Sequence, residues 1–311
     1  MIARTTVVVA IAALTLLSAC PAAADDAAAF VTEITGLARG TAEVKRGAAA
    51  WAPAEPLAAL RAGDTVRTTG EGRVVIIHHP GGAPVTITAA TSPHVVQRAQ
   101  PRRGEQQMRV ITTGLVEFFI GKQSLPSYRR AVSRDAGPPP PGIVSPRHTR
   151  LFGGPVVFEW QGPADAYALR VLGPQGEEVW RTETRQSLQT VYPLSAPPLQ
   201  PGVRYTWELT RHGAVVERSS FELLTEGDAR RVYQALEALS RGAPDLPPGT
   251  LTVLRTAILF DEGLFVEARR ELERAAGADD PTIQLLLGHV YHQIGLEDRA
   301  AVAFARAARR R

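Results

Sequence analysis

The sequence predicts a multidomain chain in which an all-β N-terminal domain, a β-sandwich middle domain and an all-α helical-repeat C-terminal domain follow one another. Three observations lead there. From about residue 30 to 125, short apolar alternations are broken by glycine, the pattern of half-buried strands. The run Gly137-Pro138-Pro139-Pro140-Pro141-Gly142 lacks backbone donors at its prolines and favours an extended spacer. From Glu226 onward the period changes to that of helices, and a set of residues recurs at a spacing of 32, as in Gly263 and Gly295. A repeat of that length marks stacked helical hairpins.

Length and composition agree with such a division. At 311 residues the chain exceeds one ordinary domain and suits two or three, each large enough to bury a core. Its one cysteine, Cys20, rules out an intramolecular disulfide, so the cores hold by burial alone. The formal charge is +4, and Lys45 and Lys122 are the only lysines. Arginine supplies the rest of the positive charge. Its clusters at Arg102-Arg103, Arg129-Arg130 and Arg309-Arg310-Arg311 read as solvated loops and a frayed tail, with anionic lipid or cell-wall polymer as the partner they would suit. Scattered basic residues on an exported chain do not suit nucleic acid.

The first segment is an export signal over residues 1–24. Arg4 precedes an apolar run at 7–17 and then small residues, a pattern too short for a membrane span. Two processing sites are open. Leu17-Ser18-Ala19-Cys20 resembles a lipobox, in which Cys20 becomes the lipidated first residue. Ala22-Ala23-Ala24 before Asp25-Asp26 is an A-x-A cleavage site. Either way the chain works in the periplasm or cell envelope, and it meets a membrane only through a lipid on Cys20.

In the second segment, residues 28–125, strands are expected at Thr65-Val66-Arg67-Thr68, Arg73-Val74-Val75-Ile76-Ile77, Val85-Thr86-Ile87-Thr88 and Met108-Arg109-Val110-Ile111. Gly63-Asp64 offers a left-handed turn residue and a carboxylate that bonds nearby backbone, after which Val66 and Thr68 begin a pleated strand. The order Gly36, Gly47, Trp51, Pro53, Leu60, Gly63-Asp64-Thr65-Val66-Arg67-Thr68 and Gly72-Arg73-Val74-Val75-Ile76 resembles the FecR-like domain over residues 30–122. The resemblance implies an extracytoplasmic β-rich interaction module. It does not carry over that family's sigma-factor signalling, because no cytoplasmic sigma-binding segment stands before the leader. The chain departs at His78-His79-Pro80-Gly81-Gly82, where the family often has an aspartate-glycine turn. Adjacent strand residues face opposite ways, so His78 and His79 cannot serve one metal together, and His94 is the further ligand a site would need. They are read as strand-end histidines.

A linker over residues 126–142 leads to the middle domain, 143–225. There Leu199-Gln200-Pro201-Gly202-Val203-Arg204-Tyr205 resembles the tyrosine corner of fibronectin type III-like sandwiches, which implies that the Tyr205 hydroxyl bonds backbone a few residues upstream. Trp160 is expected to point inward, and alternation puts most aromatic residues in the core rather than on a binding face.

The last domain, 226–311, carries Leu287-Gly288, Tyr291, Gly295, Ala300, Phe304 and Ala307, an order similar to a tetratricopeptide repeat. Gly288 and Ala300 let two helices approach, and Tyr291 and Phe304 fill what remains. The preceding unit has Thr256 and Leu259 in place of Gly288 and Tyr291 and reads as a cap. Asp280-Pro281 is a helix start. Two repeats are too few for an independent stack, so this part is expected to dock on the middle domain or on a partner. His289 and His292 lie one turn apart and read as surface or interface residues.

No nucleophile elbow, zinc-binding helix motif, phosphate loop or paired cysteine occurs, so no catalytic residue, metal or cofactor is assigned. The expected function is non-enzymatic: a cell-envelope scaffold or sensor accessory that binds an envelope protein partner. Attachment to cell-wall glycan is the alternative.

Overall fold

The structure, a computed structural model of the chain, describes residues 27–79, 81–99, 118–119, 121–122, 139–242, 245–276 and 280–308. The export signal with Cys20, the strand expected at 108–111, most of the proline-rich linker and the three arginine clusters lie outside those residues.

The first region contributes β1 (Ala27–Thr35), β2 (Gly40–Lys45), β3 (Ala52–Pro53), β4 (Ala59–Arg61), β5 (Thr65–Gly70), β6 (Arg73–His78), β7 (Val85–Ile87) and β8 (His94–Val95). They form two antiparallel four-stranded sheets, ordered β4-β1-β6-β7 and β3-β2-β5-β8. Val31, Ile34, Val44, Val66, Val74 and Ile76 fill the core between them. Gly36, Gly40, Gly70 and Gly72 meet where the strands cross over. A Cβ on any of them would lie 2.3 Å or less from a backbone oxygen or nitrogen, so only glycine fits.

The second region contributes β9 (Gly142–Ser145), β10 (Thr149–Leu151), β11 (Val157–Gln161), β12 (Ala166–Leu172), β13 (Glu178–Arg185), β14 (Gln189–Val191), β15 (Arg204–Arg211) and β16 (Ala214–Leu223). A five-stranded sheet, β10-β16-β15-β12-β13, shares a core with a three-stranded one, β14-β11-β9. Phe158 sits between Trp207 and Phe221, with ring centroids 4.9 and 5.8 Å away. Trp160, Tyr167 and Trp207 are buried, and the Trp207 indole donates to the Pro146 carbonyl at 2.8 Å.

Five α-helices follow residue 225: α1 (Glu226–Gly242), α2 (Pro248–Asp261), α3 (Phe265–Ala275), α4 (Pro281–Gln293) and α5 (Glu297–Ala308). The 32-residue repeat extends to the hydrogen bonds. Leu264 N–H donates to the Leu259 carbonyl and Leu296 N–H to that of Tyr291, both at 2.8 Å. Gly263 and Gly295 each adopt φ 72°. Both turns are therefore Schellman caps, which close α2 onto α3 and α4 onto α5.

These helices do not form a domain of their own. Leu254, Ala257, Leu285, Val290 and Phe304 belong to one buried cluster with Phe30, Leu57 and Ile77 of the first region and Val144 and Leu224 of the second. Phe119 joins the same cluster, 5.3 Å from Phe30, and Phe118 meets Phe260 at the same separation. The expected succession of an all-β domain, a β-sandwich domain and an all-α repeat domain is therefore corrected. The described residues hold mixed α and β structure, sixteen strands in four sheets with five helices after residue 225, and those helices are built onto the sheets. The physical reason is that two hairpins leave too much apolar surface uncovered to stand alone. β1, buried on both faces except at Thr35, supplies the missing cover.

The tightest helix contact gives a direct test. A Cβ on Gly288 would lie 2.5 Å from Cδ1 and Cε1 of Phe304. Gly288→Ala should destabilise the protein by about 1–3 kcal/mol through overpacking, despite its better helix propensity. Chemical denaturation of the two proteins measures this, and a stabilised variant would contradict the packing described.

Candidate functional site

The residues singled out by sequence fall into three separate places. Gly63, with φ 92°, turns the chain between β4 and β5. The Asp64 carboxylate beside it accepts from the Arg61 N–H at 2.8 Å, so its work is to hold that turn. The Tyr205 hydroxyl accepts from the Gln200 N–H at 2.9 Å, five residues upstream. Gly288 and Ala300 lie at the α4–α5 contact. The Tyr291 hydroxyl donates to Glu273 at 2.8 Å. Burial and that carboxylate push the Tyr291 phenol up to about 12.

The histidines do not converge. His289 is buried, with Nε2 3.0 Å from the Lys122 carbonyl. His292, one turn away, is half exposed and lies 3.1 Å from Glu297. Burial, with the neighbouring His78, holds the His94 imidazole below its ordinary value, and burial with Arg98 does the same for His79. Among the described residues no three histidine, cysteine or carboxylate side chains are arranged to hold a metal ion.

A buried polar junction that the sequence reading missed lies where β1 meets the helix N-termini. Helix α2 follows Pro247, an N-cap residue that offers no side-chain cap. Glu33 of β1 supplies one, its Oε2 accepting from the Thr250 N–H at 3.1 Å. A Cβ on Gly249 would lie 2.6 Å from that oxygen, so glycine clears its path. At α4, Asp280 Oδ1 accepts from the Thr282 N–H at 2.8 Å and from the Ile34 N–H of β1 at 3.3 Å. Thr32 and Thr250 close the set with hydroxyls 3.1 Å apart. A bulge in β1 between Val31 and Glu33 makes this possible by turning consecutive residues toward the helices. The one sequence signal was a carboxylate inside a strand whose other residues are apolar or threonine.

The opposite ends of the hairpins meet the second region. The Gly263 carbonyl accepts from the Arg150 N–H at 2.8 Å and from the Thr149 hydroxyl at 3.0 Å. Arg150 also pairs with Asp228 at 2.6 Å. Buried Arg269 of α3 pairs with Glu159 of β11 at 2.7 Å. The Arg150 guanidinium also donates to the Glu262 carbonyl at the C-terminus of α2, at 3.4 Å, where a positive charge complements the dipole.

Two adjoining clefts open on the first region. One, of about 630 Å³, is lined by Ala27, Arg46, Gly47, Arg61, Gly63 and Asp64 among others. Neither Arg46 nor Arg61 forms an ion pair among the described residues. The second, of about 350 Å³, shares Arg46 and is lined by Val44, Ala50, Ala52 and Pro53 together with Glu55. With this geometry in view, comparison with protein-family models finds no match for the chain, and comparison with curated proteins finds none either.

The junction has a measurable pH signature. Burial pushes Asp280 up to about 7, Glu33 adds to the rise, and the donors at Thr282 and Ile34 oppose it. A raised carboxyl contributes stability that is complete below its unfolded value, near 4, and that is lost as pH rises through about 7. Asp280→Asn should therefore gain on the wild type as pH increases from about 4 to 8, by an amount on the order of a kcal/mol or more. Urea midpoints of both proteins across that range measure it; a difference that stays flat, or falls with pH, would contradict the assignment.

Proposed function

We propose that this chain is a non-enzymatic binding and scaffold protein of the cell envelope, working through protein contacts made by its outer surfaces. The observation that carries this reading is the double clamp on the helical hairpins. Their N-termini are held by Glu33 and Ile34 of β1, and the first hairpin's turn is held by Thr149 and Arg150. Surfaces on different parts of the fold are thereby kept at fixed separations, which suits a part that positions partners. Exposed apolar side chains are spread among them: Val95 on β8, Leu194 after β14 and Tyr233 on α1. The resemblance of residues 30–122 to the FecR-like domain supports an extracytoplasmic setting, as do the features of residues 1–24. Lipidation of Cys20 is part of the proposal, and a fatty-acid probe compared between the wild type and Cys20→Ala tests it.

Attachment to cell-wall glycan is the second reading. It is favoured by Arg181, Arg170 and Arg218, which stand in that order in one row across the five-stranded sheet with Glu208 between Arg170 and Arg218. Burial pushes Glu208 up, but hydrogen bonds from Arg170 and Arg218 outweigh it and hold the carboxyl below its ordinary value. Sedimentation with purified sacculi tests that reading, and loss of binding at modest salt would reduce it to charge alone.

A photocrosslinking residue at Val95, Leu194 or Tyr233 in intact cells should trap a defined protein that also co-purifies from solubilised envelopes. If all three positions and the pull-down return no specific protein, the scaffold reading fails.

A further inference from the structure

We propose that two copies of this chain pair through β13, antiparallel about a two-fold axis at Thr182, so that their five-stranded sheets join into one of ten strands. The inference concerns an edge to which the reading above gives no partner, and it does not rest on the envelope setting.

A free edge is the first argument. β13 ends the five-stranded sheet, paired with β12 on one side and with no strand of the described residues on the other. It is 8 residues long, whereas no other strand that ends a sheet exceeds 4. Its outer row of backbone N–H and C=O groups is a template for another strand, and main-chain bonds made there supply affinity.

Charge is the second. Thr182 and Thr184 stand opposite the buried Leu169 and Tyr167, so the exposed Arg181, Glu183 and Arg185 share the outer face. Arg181 lies directly across from Arg170, a like charge whose guanidinium is committed to Glu208. Glu183 lies across from Ala168 and gains no counterion there. Along the strand Arg181 and Glu183 meet each other at 3.2 Å, both more than half exposed, a contact worth little in water. Each therefore has an unused neighbour position at the open edge.

Register is the third. A two-fold axis normal to the sheet keeps outer face beside outer face, so it stands at a residue rather than between two. With the axis at Thr182, Arg181 of each copy opposes Glu183 of the other, and residues 179–185 are all paired. At Glu183 the axis would set Arg181 against Arg185 and Glu183 against itself, and at Arg181 it would set two Arg181 side chains together. Like charges directly opposite destabilise. At Thr184 the pairing would run into Gln186, whose φ of 62° ends the strand. The alternating charges thus guard the edge against most strands and admit its own copy in one register.

Mass and cross-linking of the purified protein test this without reference to any other partner. A chain beginning at Asp25 keeps every described residue and has no cysteine. At tens of micromolar its mass by light scattering should be that of two chains, falling toward one on dilution. Arg181→Glu or Glu183→Arg opposes like charges twice across the axis and should weaken association about tenfold or more, while the two together should restore it to within about threefold. Arg181→Glu should not lower the melting temperature, since the new carboxylate faces Arg170. Thr182→Cys should give a disulfide-linked dimer under mild oxidation, because residues at the axis stand about 5 Å apart between Cα atoms. Glu178→Cys should not, its copies being about 26 Å apart along the strands. A wild type that stays monomeric at every concentration would overturn the proposal. So would a dimer that survives both single reversals, a double reversal that is folded but monomeric, or cross-linking that is absent at 182 or equal at 178. Photocrosslinking at Val95 or Tyr233, on other parts of the fold, reads the scaffold proposal separately.

Discussion

Everything in this fold depends on satisfying two buried helix N-termini. An α-helix starts with backbone N–H groups that have no partner within the helix. α2 and α4 both point that end into β1, away from water. Without acceptors there, each orphaned donor would cost about 1–3 kcal/mol. Glu33 and Asp280 supply those acceptors, and because Glu33 comes from the strand while Asp280 also bonds strand backbone, capping the helices is the same event as docking them. The bulge at Thr32, the absence of a side chain at Gly249 and the paired hydroxyls of Thr32 and Thr250 all serve that one contact.

The arrangement also explains why the helical part does not stand apart. A hairpin pair with capped ends and a polar face would be a small module on a tether. Here the apolar faces of α2, α4 and α5 run into Phe30, Leu57 and Ile77 on one side and toward Val144 and Leu224 on the other. Charged contacts at the periphery, Arg150 with Asp228 and Arg269 with Glu159, fix the angle at which the second region sits. The Arg269 pair is the more consequential because Arg269 is buried, and removing Glu159 would leave it only the longer contact to Glu273, at 4.0 Å.

Much of the local structure was legible in the sequence, for identifiable reasons. Tyr205 bonding back to Gln200, the glycine turns at 263 and 295, the close approach at Gly288 and the acidic start at Asp280 are each set by a few neighbours in the chain. What escaped is what long-range contact decides. Glu33 lies 217 positions from Thr250, and in one sequence nothing marks a strand carboxylate as the cap of a distant helix. The division into three fold classes failed on the same ground, since periodicity describes each segment's own face and is silent on what covers it. Arg46 follows β2 and Arg61 ends β4, and nothing in their local sequence marks them as lining one cleft.

The most direct test of the central claim, that strand and helices form one cooperative structure through the capped junction, is calorimetric unfolding of the wild type alongside Glu33→Gln. The account predicts one transition whose calorimetric and van't Hoff enthalpies agree, with far-ultraviolet helix signal and buried-tryptophan signal lost together. It further predicts that Glu33→Gln lowers that single transition as a whole. Separate transitions for helices and sheets in the wild type, or a variant that loses its helices while the sheets melt unchanged, would contradict it.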